Sequence, residues 1–195
     1  MRHRPIARFA LAVAILCASP SWADDTTGKG HAESSGGYST NPEMTAIFEA
    51  DQSDRMNKPI DWATVGKRDD QRLKRTEELL DSGALESGED FEHAAFVFQH
   101  GGKPEDYLKA HLLATIAVAR GRTSAVWISA ATLDRYLKNI GKPQVLGTQY
   151  FLTADGTVTQ EPYDRTFASD SLREALHVRS LADQEKQRQD LEKTR

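Results

Sequence analysis

The sequence predicts a mainly α-helical single domain of about five to seven helices with one appended β-hairpin. Apolar residues recur at helical spacing in several segments between residues 41 and 182, and glycines separate these segments. Near the end of the chain, Asp155–Gly156 stands between two β-prone runs, which is a strong signal for a hairpin. A chain of 195 residues is long enough to bury the core of one such domain.

Residues 1–23 have the pattern of a secretory signal peptide. A start with three arginines precedes an apolar run, residues 9–18, that is too short to span a bilayer. Ser21-Trp22-Ala23 then offers a cleavage site, whereas lipoprotein processing at Cys17 is disfavoured because the residue before it is not small. Residues 24–40 are rich in Gly, Ser and Thr, which predicts a disordered linker. We therefore expect a periplasmic or secreted protein.

Cleavage after Ala23 changes the charge of the chain. The full sequence has 25 basic and 29 acidic residues, and loss of the three leader arginines leaves 22 basic residues and a net charge of −7 with His neutral. This acidic balance argues against nucleic acid as a partner and leaves a small molecule or an envelope component. Cleavage also removes Cys17, the only cysteine, so the mature chain is expected to lack disulfides and thiol chemistry. No segment of the mature chain is apolar enough to cross a membrane.

The first predicted helix begins near Asn41 and has a charged pair on its apolar side. Its start is either a capping box of Thr40 with Glu43, or Asn41 followed by proline. The apolar stripe of the helix continues at helical spacing into Asp51 and Arg55. These two residues form an ion pair at the rim of the core, or they point into a polar pocket, and the spacing favours neither interpretation.

Four further helices are predicted before the hairpin. They span about residues 70–81, 91–100, 103–120 and 123–139. The first of these is strongly charged and should lie on the surface. Before it, Lys58-Pro59 and Val65-Gly66-Lys67 break the helical pattern, with Trp62 between them as an anchor. The next two are apolar around most of their circumference and should be buried. The last should place Arg135 opposite a core stripe that consists of Val126, Ala130, Leu133, Leu137 and Ile140, with Asp134 at its border.

The period of the pattern changes after Gly141. A turn with Pro143 leads into the hairpin, expected near residues 149–160. A lone hairpin is only marginally stable, so it must pack on the helices. A short helix over residues 169–178, with a Ser171–Glu174 capping box, completes a helical domain bounded at residues 41–182. The polar residues 183–195 form an exposed C-terminal helix or tail.

The candidate site is a set of polar residues, since the short motifs of zinc proteases, P-loops and nucleophile elbows are absent. His100 ends a buried helix before two glycines that would let a ligand or another backbone approach closely, and Asp134 edges a core-facing stripe, so they are the candidate catalytic base and its orienting carboxylate. No cofactor or metal is expected, because His93 and His100 are about 10 Å apart along their helix. The candidate ligand-binding residues are Asp51, Arg55, Gln99, Arg135, Gln144, Thr148 and Gln149.

Four short motifs in this order resemble a bacterial family of domains of unknown function. They are DQxxR at residues 51–55, AAxxxQH at 94–100, LDR at 133–135 and GKPQxxGTQ at 141–149. The last motif is the specific one, and the resemblance covers most of residues 42–182. It implies a shared architecture and lends no reaction.

Three functions remain open at this point. The leading one is an exported small-molecule or peptide binding and interaction domain with a polar pocket. The second is a hydrolase in which His100 is the base and Asp134 orients it. The third is a structural cell-envelope protein, in which the same polar residues only satisfy helix ends and a strand edge.

Overall fold

Seven α-helices and one two-stranded antiparallel sheet make up residues 37–56 and 59–194, the part of the chain that this computed structural model describes. In order they are α1 (Pro42–Met56), α2 (Trp62–Asp81), α3 (Gly88–Phe98), α4 (Pro104–Ala119), α5 (Ala125–Asn139), β1 (Phe151–Leu152), β2 (Val158–Thr159), α6 (Asp170–Ala175) and α7 (Leu181–Lys193). The predicted fold class is confirmed. The predicted signal peptide and most of the predicted linker lie outside the described residues.

The first helix, α1, starts at the second of its two predicted positions. The side chain of Asn41 accepts hydrogen bonds from the backbone N–H groups of Glu43 and Met44, at 2.9 and 3.2 Å, and thereby caps the helix. Thr40 instead donates to a carboxylate of α3. The Asn41 N–H donates to Asp90 at 2.7 Å, so the starts of α1 and α3 are tied together.

The second helix begins at Trp62 rather than near residue 70. Asp61 caps it by accepting from two backbone N–H groups, and Gly66 lies inside it. A glycine costs a helix only about 1 kcal/mol, and burial of Val65 on the neighbouring turn offsets this cost. Reading the Val65–Gly66 pair as a break was therefore wrong, and Trp62 is a half-exposed residue at the start of a helix rather than a core anchor.

The main core lies between α3, α4 and α5, and α1 and α2 pack on α3. Small side chains at the contacts let the helix axes approach closely; they include Ala94, Ala95, Ala110, Ala114 and Ala117. α3 is buried nearly all round, as predicted. α4 is not, because Leu112 and Ile116 on its outer face are 54% and 38% exposed.

The buried face of α5 differs from the predicted stripe. Ile128, Ala131 and Thr132 are buried, whereas Ile140 is 42% exposed. Arg135, expected on the opposite side, is buried as well. Apolar spacing alone does not predict this face, because the segment after α5 covers the polar side chains of Asp134 and Arg135 by hydrogen bonding to them.

A second, smaller layer contains the hairpin and the C-terminal helices. Phe151 pairs with Thr159 and Leu152 with Val158, so the predicted hairpin is confirmed. α6 is capped by Ser169, whose hydroxyl accepts from the Leu172 N–H at 3.2 Å, and not by the Ser171–Glu174 box that the sequence suggests. α7 packs along β2 rather than lying free as a polar tail. An apolar cluster under these elements consists of Ala130, Leu146, Ala168 and Val178.

His93 of α3 is a buried imidazole whose ring stacks on Phe48 of α1, with 4.2 Å between the ring centroids. Its Nδ1 atom has no hydrogen-bond partner in the described part of the chain. Burial lowers the pKa of His93, and the nearby carboxylates of Glu89 and Glu92 oppose this shift only in part, as Nε2 lies 3.8 Å from Glu89. His93 is thus a core residue that is neutral at pH 7.

This depressed pKa predicts a loss of stability in acid. As pH falls through the ordinary histidine pKa of about 6.5, the unfolded chain takes up a proton that folded His93 resists, so the unfolded state is favoured. His93→Phe keeps the ring stack and removes the titration. Its free energy of unfolding, measured by urea denaturation, should therefore fall less than that of the wild type between about pH 7.5 and pH 5.

His177→Asn is the control for this experiment. His177 is exposed and has a φ of 54°, a conformation that asparagine tolerates. This variant should keep the full pH dependence of the wild type. If the free energy of unfolding falls by the same amount between these two pH values in His93→Phe and in the wild type, the role given to His93 is contradicted.

Candidate functional site

A cleft of about 300 Å³ lies where α1, α2, α4, α5 and β1 meet the turn that follows α3. It holds four of the residues selected from the sequence: Arg55, Gln99, His100 and Arg135. Six further side chains line it: Trp62, Asp69, Tyr107, Lys138, Asn139 and Phe151. The wall thus combines cationic, amide and aromatic groups around one histidine.

His100 in this cleft is paired with Asp51 of α1. Its Nδ1 lies 3.1 Å from Asp51 Oδ1, and because a carboxylate can only accept, Nδ1 carries the proton. Burial lowers the pKa of His100, although the hydrogen bond and charge of Asp51 oppose this shift, so the imidazole is neutral at pH 7. A neutral ring with its proton on Nδ1 has a bare, basic Nε2. The structure therefore orients His100 with Asp51, and not with Asp134 as the sequence suggested.

Asp51 is held in place from several sides. Arg55 Nη1 donates to its Oδ1 at 2.9 Å, and Gln52 Nε2 donates to its Oδ2 at 2.8 Å. Arg55 also donates to Asp69 of α2 at 2.7 Å, which in turn accepts from Arg72 at 3.0 Å. Asp51 of the predicted pair is thus buried, whereas Arg55 is only partly buried and lines the cleft.

Arg135 links the cleft to the segment after α5. Its Nη1 donates to the backbone carbonyl of Gln99 at 2.6 Å, and its Nε donates to Gln149 Oε1 at 3.1 Å. The guanidinium carbon lies 5.9 Å from the centre of the Tyr107 ring. The side-chain Nε2 of Gln99 is buried and finds no acceptor among the described residues. A buried donor without a partner is costly, and here it belongs to a residue that lines the cleft.

Lys138 is a cation that the sequence analysis did not select. It lies one turn after Arg135 on α5, and its ammonium is placed over the Phe151 ring. Among the described residues no carboxylate or carbonyl oxygen pairs with it. Burial and then the charge of Arg135 lower its pKa to about 8. The spacing i,i+3 from Arg135 was the available signal, but a lysine in the last turn of a helix has an ordinary explanation in the helix dipole.

Asp134 lies outside the cleft and organises the turn after α5. Its Oδ1 accepts from the N–H groups of Val145 and Leu146, at 2.8 and 3.0 Å. Its Oδ2 accepts from both the N–H and the hydroxyl of Thr148, at 3.0 and 2.9 Å. Both oxygens are therefore occupied by the turn, and the side chain is fully buried.

Gln144 and Gln149 continue this scaffold. Gln149 N–H donates to Gln144 Oε1 at 3.0 Å, and Gln144 Nε2 donates to the carbonyls of Gln149 and Gln160. Gln160 in turn donates to the carbonyl of Gly147 at 2.6 Å. These side-chain amides bond the two ends of the 144–149 segment to each other, and they bond the segment to the residue that follows β2. Their role in a ligand site is indirect, through the bond from Arg135 to Gln149.

The glycines after His100 do not both open towards a ligand. A side chain at Gly101 would lie 2.3 Å from the Cβ of Asp106, which accepts from the Lys103 N–H at the start of α4. Gly101 is therefore needed for the close approach of that helix start. Only Gly102 faces open space.

Comparisons with other proteins add nothing to this geometry. No helix in residues 37–56 and 59–194 has the length and apolar composition of a membrane-spanning segment. Within the same ranges no three His, Cys, Asp or Glu side chains are arranged to hold a metal ion. The family resemblance of the four motifs stays a prediction, since no protein-family model, curated protein or solved structure matches this chain.

Proposed function

We propose that this chain is an exported binding protein for a small organic anion, which it holds in the cleft beside His100. The observation that carries the proposal is the Lys138 ammonium, which is half-buried in the cleft and has no acidic partner among the described residues. A buried cation without a counter-charge is unfavourable until an anion arrives. The N-terminal leader pattern supports export to the periplasm or the cell exterior.

The groups around Lys138 also favour an organic anion. Arg135, which carries a planar guanidinium, lies one turn away; after burial, its charge is the second cause of the lowered pKa of Lys138. Tyr107, Phe151 and Trp62 supply ring surfaces that suit the apolar part of such a ligand. Small-molecule sites typically combine aromatic walls with a small number of polar groups.

Phenyl phosphate is the first ligand to test, because it combines an anion with an aromatic ring. We expect it to raise the melting temperature of the full chain, and to bind measurably by isothermal titration calorimetry. Lys138→Met should weaken this binding by roughly 10-fold or more, the loss of one charge-assisted contact. The variant should still fold, since it removes a charge whose burial is unfavourable.

Lys142→Met is the matched control. It makes the same change just beyond the end of α5, where the side chain is exposed and does not line the cleft. Its affinity for phenyl phosphate should equal that of the wild type. If neither phenyl phosphate nor inorganic phosphate binds, or if both variants bind as well as the wild type, the anion site is not at Lys138.

The affinity for anions should also depend on pH in a defined direction. With a pKa of about 8 in the free protein, Lys138 loses its charge as pH rises above that value. Binding of phenyl phosphate should then weaken between about pH 7 and pH 9, and the decrease should be smaller in Lys138→Met. Calorimetry at both pH values, at constant ionic strength, measures this change in affinity. An affinity that does not change in the wild type would contradict the assignment.

A further inference from the structure

We infer that Asp51 and His100 form a dyad in which His100 activates water against a phosphodiester bound in the cleft, so that the binding site is also hydrolytic. The inference rests on the proposed anion site, because the same cations would hold the phosphoryl oxygens. Its own basis is the placement of a neutral, carboxylate-oriented histidine in the wall of that cleft.

The dyad has the arrangement of hydrogen bonds that general-base catalysis needs. Asp51 accepts the Nδ1 proton at 3.1 Å and is itself fixed by bonds from Arg55 and Gln52. This fixes the tautomer of His100 and leaves Nε2 as the acceptor. Rotation of the His100 ring, or transfer of its proton to Nε2, would break the hydrogen bond to this fixed carboxylate.

The nucleophile is a water molecule rather than a side chain. No serine, threonine or cysteine is found among the described residues that line the cleft. Tyr107 is disfavoured because burial raises its pKa and keeps it protonated. Asp69 is engaged by Arg55 and Arg72. Since Lys138 is assigned to the phosphoryl oxygens and His100 is the base, the attack falls to water.

The reaction balances without any other reactant. His100 Nε2 takes a proton from water while the water oxygen bonds to phosphorus. The bond from phosphorus to the leaving oxygen breaks, and the protonated imidazole returns its proton to that oxygen. The products are a phosphomonoester and an alcohol. Lys138 and Arg135 stabilise the charge on the non-bridging oxygens.

A phosphodiester fits better than a carboxylic ester for one reason. Its charge is on the reacting group, so one pair of cations serves both binding and the transition state. A carboxylic ester is neutral at its reacting carbon and would need a second anionic group for the same cations.

The test is release of p-nitrophenolate from bis(p-nitrophenyl) phosphate by the full chain, with p-nitrophenyl acetate as the carboxylic ester. We expect turnover of the phosphodiester, a loss of at least roughly 100-fold in kcat for His100→Gln, and an increase in KM for Lys138→Met. Lys142→Met should match the wild type. Turnover of the acetate alone would overturn the phosphodiester assignment, and His100-independent turnover would overturn the dyad.

Asp51 is a positioning residue, so it needs a readout that a merely structural role would not change. The charged groups that change the pKa of His100 are Asp51 and Arg55 from α1 and Arg135 from α5. Arg72 of α2 lies 3.9 Å from Asp51. Three further titratable groups line the same cleft: Asp69, Tyr107 and Lys138. In the wild type, kcat should rise with pH and level off below the ordinary histidine pKa. Asp51→Asn should move this acid limb to lower pH, because the carboxylate raises the pKa of His100. An unchanged limb in a folded variant would overturn the role of Asp51.

The two proposals can fail separately. If phenyl phosphate binds and Lys138→Met weakens that binding, but the wild type does not hydrolyse bis(p-nitrophenyl) phosphate, the dyad inference is overturned and the anion-binding function stands. If neither phenyl phosphate nor inorganic phosphate binds, both are overturned. The pH dependence of kcat in the wild type needs no variant, so the dyad can be tested even if Asp51→Asn fails to fold.

Discussion

Replacing Asp134 with alanine should lower the free energy of unfolding by about 3 to 5 kcal/mol, among the largest effects that one side chain can have. The carboxylate accepts four hydrogen bonds from residues 145–148, three of them from backbone N–H groups. It is fully buried at the end of α5. Without it, these donors lose their acceptor where water has little access, and each unsatisfied donor costs roughly 1 to 3 kcal/mol.

Urea denaturation of the wild type and the variant measures this effect. Asp164→Ala is the matched control, because Asp164 also accepts from a backbone N–H and a hydroxyl, both of Thr166, at 3.0 and 2.7 Å. Asp164 is exposed, so water replaces the lost acceptor and the loss should be much smaller. Equal losses in the two variants would show that Asp134 contributes no more than a surface turn residue.

Asp134→Asn separates charge from hydrogen bonding. The amide keeps one acceptor oxygen and places an NH₂ donor where the other oxygen accepted two bonds. The loss should therefore be large as well, because the new donor faces donors. A variant as stable as the wild type would mean that the turn between α5 and the hairpin is held by its glutamines rather than by Asp134.

The helices and the hairpin could be predicted because their signals are local. The apolar period of α3 and the Asp155–Gly156 turn depend on residues that are neighbours in sequence. The start of α2 was missed because a single glycine was read as a break, although packing of Val65 outweighs its cost. The buried face of α5 was missed for a different reason: burial of Arg135 depends on acceptors at Gln99 and Gln149.

The members of the candidate site were easier to predict than their partners. His100 and Asp51 are both on the predicted list, but they are 49 residues apart, and no local pattern shows that α1 brings the carboxylate to the imidazole. The sequence favours Asp134 as the partner because it edges a core-facing stripe. Its real acceptor role depends on a turn whose backbone folds back onto α5. Long-range pairing of polar groups is set by tertiary packing, which the spacing of one segment does not encode.

Arg173 is the second residue whose loss should be severe. It is the largest fully buried side chain in the described part of the chain. Its guanidinium donates to the Tyr163 hydroxyl at 3.0 and 3.2 Å, to the carbonyl of Ala168 at 2.6 Å and to that of Arg165 at 3.2 Å. It thereby fixes the segment between the hairpin and α6 on the second, smaller core.

Arg173→Ala should cost about 3 to 5 kcal/mol, because it opens a cavity and leaves buried acceptors without donors. Arg173→Lys should not restore stability, since one ammonium cannot reproduce the planar fork that reaches four acceptors. Arg173→Met refills most of the volume but has no hydrogen-bond donors. The difference between the free energies of unfolding of the methionine and alanine variants therefore gives the contribution of packing, and the remaining loss of the methionine variant gives that of hydrogen bonding. Urea denaturation of the three variants at pH 7 gives these values.

Arg165→Ala is the matched control in the same segment. Arg165 pairs with Glu161 at the surface and is half-exposed, so its removal should change stability little. The carboxylate nearest to Arg173 is that of Asp170, at 3.1 Å and 54% exposed, so the buried charge is met mainly by carbonyl and hydroxyl oxygens. If Arg173→Met proves more stable than the wild type, the cost of burying the guanidinium exceeds the worth of its hydrogen bonds. Arg173 would then order the hairpin and α6 relative to each other at the expense of stability.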